Sequence, residues 1–352
     1  MAIKHLQKFC LLAFCIALLF ACSEEEQPLV SANTQPTWLI PQDEVLDGGV
    51  GLDGIPSIDA PRFDKAASVN PAFDDQLVIG LERNGVIHGY PLPIMDWHEI
   101  TNDVIDDLNI AVTYCPLTGT AIGWDRKLGS SVTTFGVSGL LYRSNLMPYD
   151  RSSNSIWSQQ NLMCVNGTRR GTVPDSYSLI ETTLATWRKS FPDSDVMNAN
   201  TGFDRQYSFY PYGSYRSDDV LFFPIEQDNR LPLKERVLGV LINDKTTVFR
   251  FNEDDEGTDV IHHVMSTTDL IVVRSKDDNY NTAFLNPDQL EFTPVQNGLP
   301  AIMEDQNGNR YDLAGRVIEG PNKDSKLSKP LSFIGYWFSW PAFYPDVEIY
   351  NL

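Results

Sequence analysis

Cationic side chains are scarce in this sequence of 352 residues, in which 27 Lys and Arg stand against 47 Asp and Glu, a formal net charge of −20. If residues 1–21 are removed, Lys4 and Lys8 leave with them, and the balance becomes 25 − 47 = −22. A chain of this charge repels the phosphates of nucleic acids and anionic lipid headgroups. We therefore expect no nucleic acid among its partners.

Cysteine is also scarce, with five residues in the whole chain. Cys10 and Cys15 lie in the N-terminal apolar segment and Cys22 follows it, which leaves Cys115 and Cys164 for the remainder. Two cysteines cannot provide the disulfide framework of a small secreted scaffold. Whether these two pair is left open, because their separation cannot be read from the sequence.

The apolar run 9–21 follows a basic start and is too short to span a bilayer. It ends in Leu-Phe-Ala-Cys at 19–22, which resembles a lipobox. Residues 1–21 are therefore predicted to be a lipoprotein signal peptide and Cys22 the lipidated residue. The alternative is an ordinary signal peptide cleaved near Ala21, and both interpretations predict an exported protein.

Residues 22–54 are predicted to be a lipid-anchored tether and lead-in, because Cys22 is followed by Ser and three Glu and then by a polar stretch. These neighbours resemble those of lipoproteins sent to the outer membrane, either to its periplasmic face or to the cell surface. Two acyl chains hold a protein firmly on a membrane. The lipid anchor is thus the only membrane contact that we expect.

The rest of the chain shows weak internal similarity, which is best where Trp187 and Trp340, 153 residues apart, each precede a Pro-Asp pair by five residues. It predicts a tandem duplication with a first repeat at 55–200, a connector at 201–236 and a second repeat at 237–352. The predicted strands, short and rich in β-branched residues, are 77–82, 86–90, 110–114, 121–124 and 132–137, then 237–242, 246–251, 270–274, 283–285 and 290–293.

Helix is predicted only at 91–102 and 182–191, so few short helices are expected. The fold class is a β-rich α+β fold, built as a tandem duplication of a mostly antiparallel β module. Polar and reactive residues are dense at the turns of the first repeat, whereas the second has lost most of them. If the protein has one site, we expect it in the first repeat, although simple drift of a duplicated module would leave the same pattern.

A helix over 91–102 would place His98 beside Asn102 and Glu99 beside Asp103 on one face. A His with neighbouring carboxylates can transfer protons near neutral pH or bind a metal. The alternative is a core histidine whose two ring nitrogens are already hydrogen-bonded.

Cys115 ends an apolar strand before Pro116, a position suited to a nucleophile or to a soft-metal ligand. Its thiolate would need a nearby cation such as His98 or Arg151. Met147 could join His98 and Cys115 as a third metal ligand, which would favour copper, with zinc as the other candidate for a single ion. A buried, inert cysteine is the alternative.

Arg151 could hold an anionic group in a two-pronged contact, with Glu99 and Asp150 orienting the reactive side chains. A local Asp150–Arg151 pair in a turn would explain the same residues. The further predicted ligand-binding residues are Asn102, Asp103, Ser138, Tyr149, Trp157 and Gln159.

Several ordered segments resemble the bacterial family catalogued as domain of unknown function 3179, over residues 55–350. They are Gly-Tyr-Pro-Leu at 89–92, Trp-His-Glu-Ile-Thr-Asn-Asp at 97–103, Thr-Tyr-Cys-Pro-Leu at 113–117, Phe-Gly-Val-Ser-Gly-Leu at 135–140, Tyr-Asp-Arg at 149–151, Ser-Ile-Trp-Ser-Gln at 155–159, Thr-Leu-Ala-Thr-Trp at 183–187 and Tyr-Trp-Phe-Ser-Trp at 336–340. The resemblance implies no activity. Family members often have Cys-Pro-Leu-Cys, and Thr118 replaces the second cysteine here, so a local dithiol is excluded.

Three hypotheses of function follow. The first is an exported lipoprotein that binds a small molecule or a component of the cell envelope in a pocket of the first repeat. The second is an enzyme that uses His98, Cys115 and Arg151. The third is a copper-handling lipoprotein that binds the metal through His98, Cys115 and Met147.

Overall fold

A computed structural model describes residues 37–251 and 257–351. The predicted signal peptide 1–21, the lipidated Cys22 and residues 22–36 of the predicted tether lie outside the described residues. Among the described residues, the helices are all too short or too polar to cross a membrane.

The predicted β-rich α+β class is confirmed, because strands dominate and the helices are few and short. The three α-helices are α1 (Leu92–His98), α2 (Leu184–Ser190) and α3 (Ser339–Phe343). Single 3-10 turns occur at Gln42–Glu44, Ala66–Ser68 and Pro71–Phe73.

The strands of the first half and its lead-in include all five that were predicted there, although the fifth begins later. They are β1 (Val45–Asp47), β2 (Phe63–Lys65), β3 (Leu77–Arg83), β4 (Val86–Pro91), β5 (Ile100–Ile105), β6 (Leu108–Cys115), β7 (Thr120–Asp125), β8 (Lys127–Leu128), β9 (Ser131–Val132), β10 (Phe135–Tyr142), β11 (Asn145–Asp150), β12 (Ile156–Ser158), β13 (Met163–Asn166), β14 (Ser176–Ser178), β15 (Ile180–Thr183) and β16 (Asp195–Met197).

The second half has a similar alternation of hairpins. Its strands are β17 (Arg236–Ile242), β18 (Lys245–Arg250), β19 (Thr258–Met265), β20 (Thr268–Ser275), β21 (Tyr280–Leu285), β22 (Phe292–Pro294), β23 (Met303–Asp305), β24 (Arg310–Tyr311), β25 (Val317–Glu319), β26 (Leu331–Tyr336) and β27 (Glu348–Ile349).

The sheets of the two halves correspond in strand order. The first half has β15-β3-β4-β16-β2, β14-β7-β6-β5 and β1-β10-β11-β12-β13, and the second has β26-β17-β18-β27, β19-β20-β21 and β22-β23-β24-β25. Pairing is antiparallel except between β16 and β4 and between β27 and β18, which occupy equivalent places. This is the pattern that a tandem duplication would produce, and the duplication itself stays a prediction.

A glycine and a tryptophan pack together at the same place in both halves. A Cβ atom at Gly80 of β3 would overlap the indole of Trp187, and one at Gly239 of β17 would overlap that of Trp340. Both indoles are fully buried. The glycines thus let a helix lie directly on its sheet, which is the contact that the similarity around the two tryptophans reflects.

The helix predicted at 91–102 was wrong in its second half. The structure ends α1 at His98, and Glu99 has a left-handed backbone with φ of 57°. Residues Ile100–Ile105 form β5, which pairs with β6. His98 is therefore not stacked on Asn102, nor Glu99 on Asp103, along a helical face.

The lead-in and the connector both pack on the sheets. Val45–Asp47 adds an edge strand beside β10, so residues 45–47 of the predicted tether and lead-in belong to a sheet. Residues 201–235 of the connector contain no regular element, yet they bury Tyr215, Leu221 and Leu231 in the largest core cluster. The described residues from Trp38 onward belong to one compact unit.

Candidate functional site

The two terminal nitrogens of the Arg151 guanidinium bind side chains of residues 53–59, the segment between β1 and β2. Its Nη2 lies 2.9 Å from Asp53 Oδ1 and 3.0 Å from Ser57 Oγ. Its Nη1 lies 3.2 Å from both oxygens of Asp59, while Tyr149 donates its hydroxyl hydrogen to Asp53. Arg151 and Tyr149 thus hold this segment on β10 and β11 and leave the guanidinium without the free two-pronged face that an anion would need.

Two other predicted ligand-binding residues, Asn102 and Asp103, lie on β5 and form hydrogen bonds to residues outside it. Asn102 donates to Asp59 Oδ1 at 2.6 Å and exchanges two hydrogen bonds with the backbone of Phe135. Asp103 accepts from the Tyr90 hydroxyl at 2.6 Å and lies 2.7 Å from His88 Nδ1. Both side chains are buried. Their bonds join strands to each other and to the lead-in.

Asp150 organises a turn, and an aspartate does the same in the second half. It accepts from Ser153 and from the Trp157 indole, and hydrogen bonds lower the pKa of its buried carboxyl despite the opposing effect of burial. Asp305 accepts from Asn309 and Tyr311 in the corresponding turn. Because the second half has a similar arrangement without Trp157, we interpret Asp150 and Trp157 as structural residues of this turn.

Gln159 lies in a fully buried polar network. It accepts from the Asn145 amide at 2.7 Å and donates to Thr113 Oγ1 at 2.9 Å. Ser138 is likewise internal, with its hydroxyl donated to the Met147 carbonyl. A satisfied internal network of this kind specifies one packing arrangement and leaves these groups no capacity for a ligand.

Cys115 is a buried thiol, not a thiolate. Its Sγ lies 3.3 Å from the amide of Leu146, and burial, with a further contribution from Glu99, raises its pKa to about 11. Met147 belongs to a different core cluster from Cys115, since successive residues of β11 face opposite ways. Cys164 is also a free buried thiol.

The structure does not bring His98, Cys115 and Met147 together. Throughout residues 37–251 and 257–351, groups of three or more His, Cys, Asp or Glu that could hold a metal ion are absent.

His98 is held between the lead-in and the connector. Its Nδ1 lies 2.7 Å from the Pro56 carbonyl, which can only accept, so Nδ1 carries the hydrogen. Burial lowers the pKa of the imidazole, so Nε2 of the neutral ring accepts from the Tyr207 hydroxyl at 2.7 Å. Because the Tyr207 hydroxyl has given its one hydrogen to His98, it accepts a hydrogen bond from the Thr201 hydroxyl. The interpretation of His98 as a core histidine with both nitrogens bonded fits this geometry.

Residues 207–216 of the connector, here called the strap, bind the end of α1 at several points besides His98. Tyr212 donates its hydroxyl to Glu99 Oε1 at 2.8 Å, and Arg216 Nη2 lies 2.5 Å from Asp96 Oδ1. Burial raises the pKa of both carboxyls to about 7. The Tyr210 hydroxyl in the strap is buried and finds no partner among the described residues.

A pocket of about 340 Å³ lies beside the strap, between α1, β2 and the segment 66–76. Most of its wall is apolar and includes Phe73, Pro91, Ile94, Leu184, Val196 and Met197. Its polar lining includes Asp64, Asn70, Gln76, Asn198, Tyr207 and Ser208. Tyr207 thus joins this pocket to His98. None of the sequence-predicted site residues, His98 included, lines it.

The composition of one segment was a sequence signal for this pocket. Residues 197–236 are rich in Tyr, Pro and Asp without being a flexible linker, and such a segment has to pack on something. The other lining residues are ordinary core and turn residues, which carry no motif.

Comparison with known proteins gives one match. A family model described as a protein of unknown function, DUF3179, matches residues 52–347, which confirms the resemblance that the ordered segments predicted. No curated protein and no solved structure matches the chain.

Proposed function

Because the chain belongs to the DUF3179 family, whose description names no activity, we propose its function from the site: an exported, lipid-anchored protein that binds a small organic molecule in the pocket beside the strap. The proposal keeps the first of the three hypotheses drawn from the sequence. It gives the ligand a defined place in the first half.

The pocket itself carries this proposal. Its volume of about 340 Å³ lies within the range of small-molecule sites, which is roughly 300–1,000 Å³. A predominantly apolar wall with a few hydrogen-bonding groups is the usual composition of such sites. The buried His98 fixes Tyr207 in that wall, so one polar group of the lining is pre-oriented.

A larger groove of about 1,040 Å³ lies between residues 224–230 of the connector and α3. Four of the five charged residues in its lining are already paired, with Arg143 on Glu44 at 2.8 Å and Arg230 on Asp228 at 2.8 Å. Those pairs would have to be broken before the groove could offer its charges to a ligand. The smaller pocket needs no such rearrangement and is therefore preferred.

The enzyme and copper hypotheses are not carried forward. His98, Cys115 and Arg151 have separate partners, and the raised pKa of Cys115 keeps its sulfur protonated at neutral pH. The environment of each side chain supports a structural role for Cys115 and Arg151 and a positioning role for His98.

The proposal that the protein is exported and lipid-anchored is based only on residues 1–22. The basic start, the apolar run and the Leu-Phe-Ala-Cys ending support cleavage before Cys22 and acylation of its sulfur. An outer-membrane location is supported by the residues that follow Cys22.

Binding of the neutral fluorophore N-phenyl-1-naphthylamine to the purified mature protein tests the pocket. We expect saturable fluorescence enhancement in the wild type and its loss in Ala199→Trp, where an exposed lining residue becomes an indole that fills the space. Asn200→Trp adds the same indole next to the pocket but outside its lining, and it should bind as the wild type does. Equal binding by all three proteins, or none by the wild type, would refute the proposal.

A further inference from the structure

The pocket beside the strap carries charge of one sign. Among its lining residues, Asp64 has the only ionisable carboxylate, and none is Lys, Arg or His. Asp64 lies on the edge strand β2, where its backbone faces Val196 of β16. Within residues 37–251 and 257–351, its carboxylate has no ion-pair partner. The pocket therefore offers a ligand one free anionic group.

Three basic residues of the neighbouring elements are occupied elsewhere. Lys65 alternates to the other face of β2 and lies 2.8 Å from Asp195. Arg188 of α2 lies 2.7 Å from Asp74. The third is Arg205 of the connector, and its guanidinium lies 5.7 Å from the ring centre of Trp97. Arg62, two residues before Asp64, is exposed and lies outside the lining, and in the described part of the chain it forms no ion pair with Asp64.

Two aromatic rings share the pocket with this carboxylate. Phe73 is 43% exposed although it is a large apolar residue, and Tyr207 lines the same space. Aromatic faces attract organic cations through the electrostatic field of the ring.

We infer that the pocket binds an organic ammonium ion with an apolar body, the ammonium group facing Asp64 and the hydrocarbon lying on the apolar wall. This inference rests on the proposed function, because it names the chemical class of the ligand for that site. The acidic chain, with its net charge of −20, also attracts cations and disfavours anions.

For an anionic ligand of the same shape, the charge of Asp64 is repulsive instead of attractive. Its carboxylate or phosphate would lie beside Asp64 with no basic side chain in the lining to receive it. A neutral ligand can use the hydrogen-bonding groups, such as Asn70, Asn198 and Tyr207, but gains nothing from the charge. The order of affinity therefore runs from cation through neutral molecule to anion.

Hexylamine, 1-hexanol and hexanoate test this order at pH 7, because they share one chain and differ in head-group charge. Each is used to displace N-phenyl-1-naphthylamine from the purified protein. We expect hexylamine to bind about fivefold more tightly than hexanol, the scale of one solvent-accessible ion pair, and hexanoate to bind more weakly than hexanol.

Asp64→Asn should bring hexylamine to the affinity of hexanol and remove the disadvantage of hexanoate. Asp75→Asn makes the same charge change at an exposed residue outside the lining and should leave the wild-type order intact. If the fluorophore binds but hexanoate competes as well as hexylamine, the ammonium inference fails and the proposed function stands. If the fluorophore does not bind the wild type, both the proposed function and the ammonium inference fail.

Discussion

Glu99 gives the structure its most specific stability prediction. Its carboxyl is buried, accepts a hydrogen bond from Tyr212 at 2.8 Å, and has its pKa raised by burial from the ordinary 4.5 to about 7. Replacing it by Gln keeps the Oε1 acceptor and the size of the side chain while removing the ability to ionise. The variant therefore isolates the effect of a buried negative charge.

The sign follows from proton linkage. Between pH 4.5 and 7 the folded protein holds a proton on Glu99 that the unfolded chain has lost, so the free energy of unfolding falls as pH rises. At 1.36 kcal/mol per pH unit, the total loss above pH 7 is about 3 kcal/mol. Below pH 4.5 both states are protonated and the effect vanishes. Relative to the wild type, Glu99→Gln should therefore gain stability only as the pH rises.

Urea denaturation at pH 4.5, 6, 7 and 8 measures this difference. We expect the two free energies of unfolding to agree at the lowest pH and Glu99→Gln to exceed the wild type by about 3 kcal/mol at pH 8. Glu226→Gln, at an exposed carboxylate of the same connector, controls for the change of net charge and should show no such trend. A difference that does not vary with pH, or a wild type that is the more stable protein at pH 8, would refute the reasoning.

Three further predictions are simpler. Gly239→Ala should lower the free energy of unfolding by about 3 kcal/mol in urea, the upper end for overpacking, because the added methyl overlaps the Trp340 indole. In the native mature protein, Cys115 and Cys164 should resist Ellman's reagent at pH 8, since burial raises both pKa values to about 11, and two thiols should react after unfolding without reductant. Cys22→Ala should abolish palmitate labelling and release the protein from the membrane fraction.

Local patterns predicted the hairpins because the strands are short, β-branched and bounded by turn residues. The segment around 237–250 shows this well, since β17 and β18 lie within a residue of the predicted bounds. The sequence did not predict β19, because Thr258–Met265 mixes polar and apolar residues and its burial alternates only in part. Pattern reading therefore succeeds where one face is clearly buried and fails where both faces are mixed.

The boundary between α1 and β5 shows where local reasoning ends. Residues 91–102 have helical spacing, and the prolines suit a first turn. Yet Ile100–Ile105 has a strand partner in Leu108–Cys115, and burial of this pairing outweighs the weak local preference. Glu99 absorbs the change of direction in a left-handed conformation that a bulky residue rarely adopts. A single sequence gives no sign of that cost or of the contacts that offset it.

For the proposed pocket, the sequence indicated the half of the chain in which it lies and one residue, His98, that contacts its wall; the site itself stays a prediction. His98 was chosen for its chemistry, and the structure makes it a support for Tyr207 of the pocket wall. Arg151, Asp150 and Gln159 were chosen for the same reason and are used within the fold. Charged and amide side chains attract attention in a sequence, but a folded chain needs many of them for its own buried hydrogen bonds.

The correspondence between the halves supplies an independent argument for the position of the pocket. The sheets β15-β3-β4-β16 and β26-β17-β18-β27 agree strand by strand, but the first continues into β2 and, in the described part of the chain, the second has no fifth strand. Asp64 of β2 and the segment 66–76 after it form one side of the pocket. The pocket thus lies where the first sheet has what the second lacks. This position agrees with a ligand site in the first half, because in the described part of the chain the second sheet has no strand that could form the same wall.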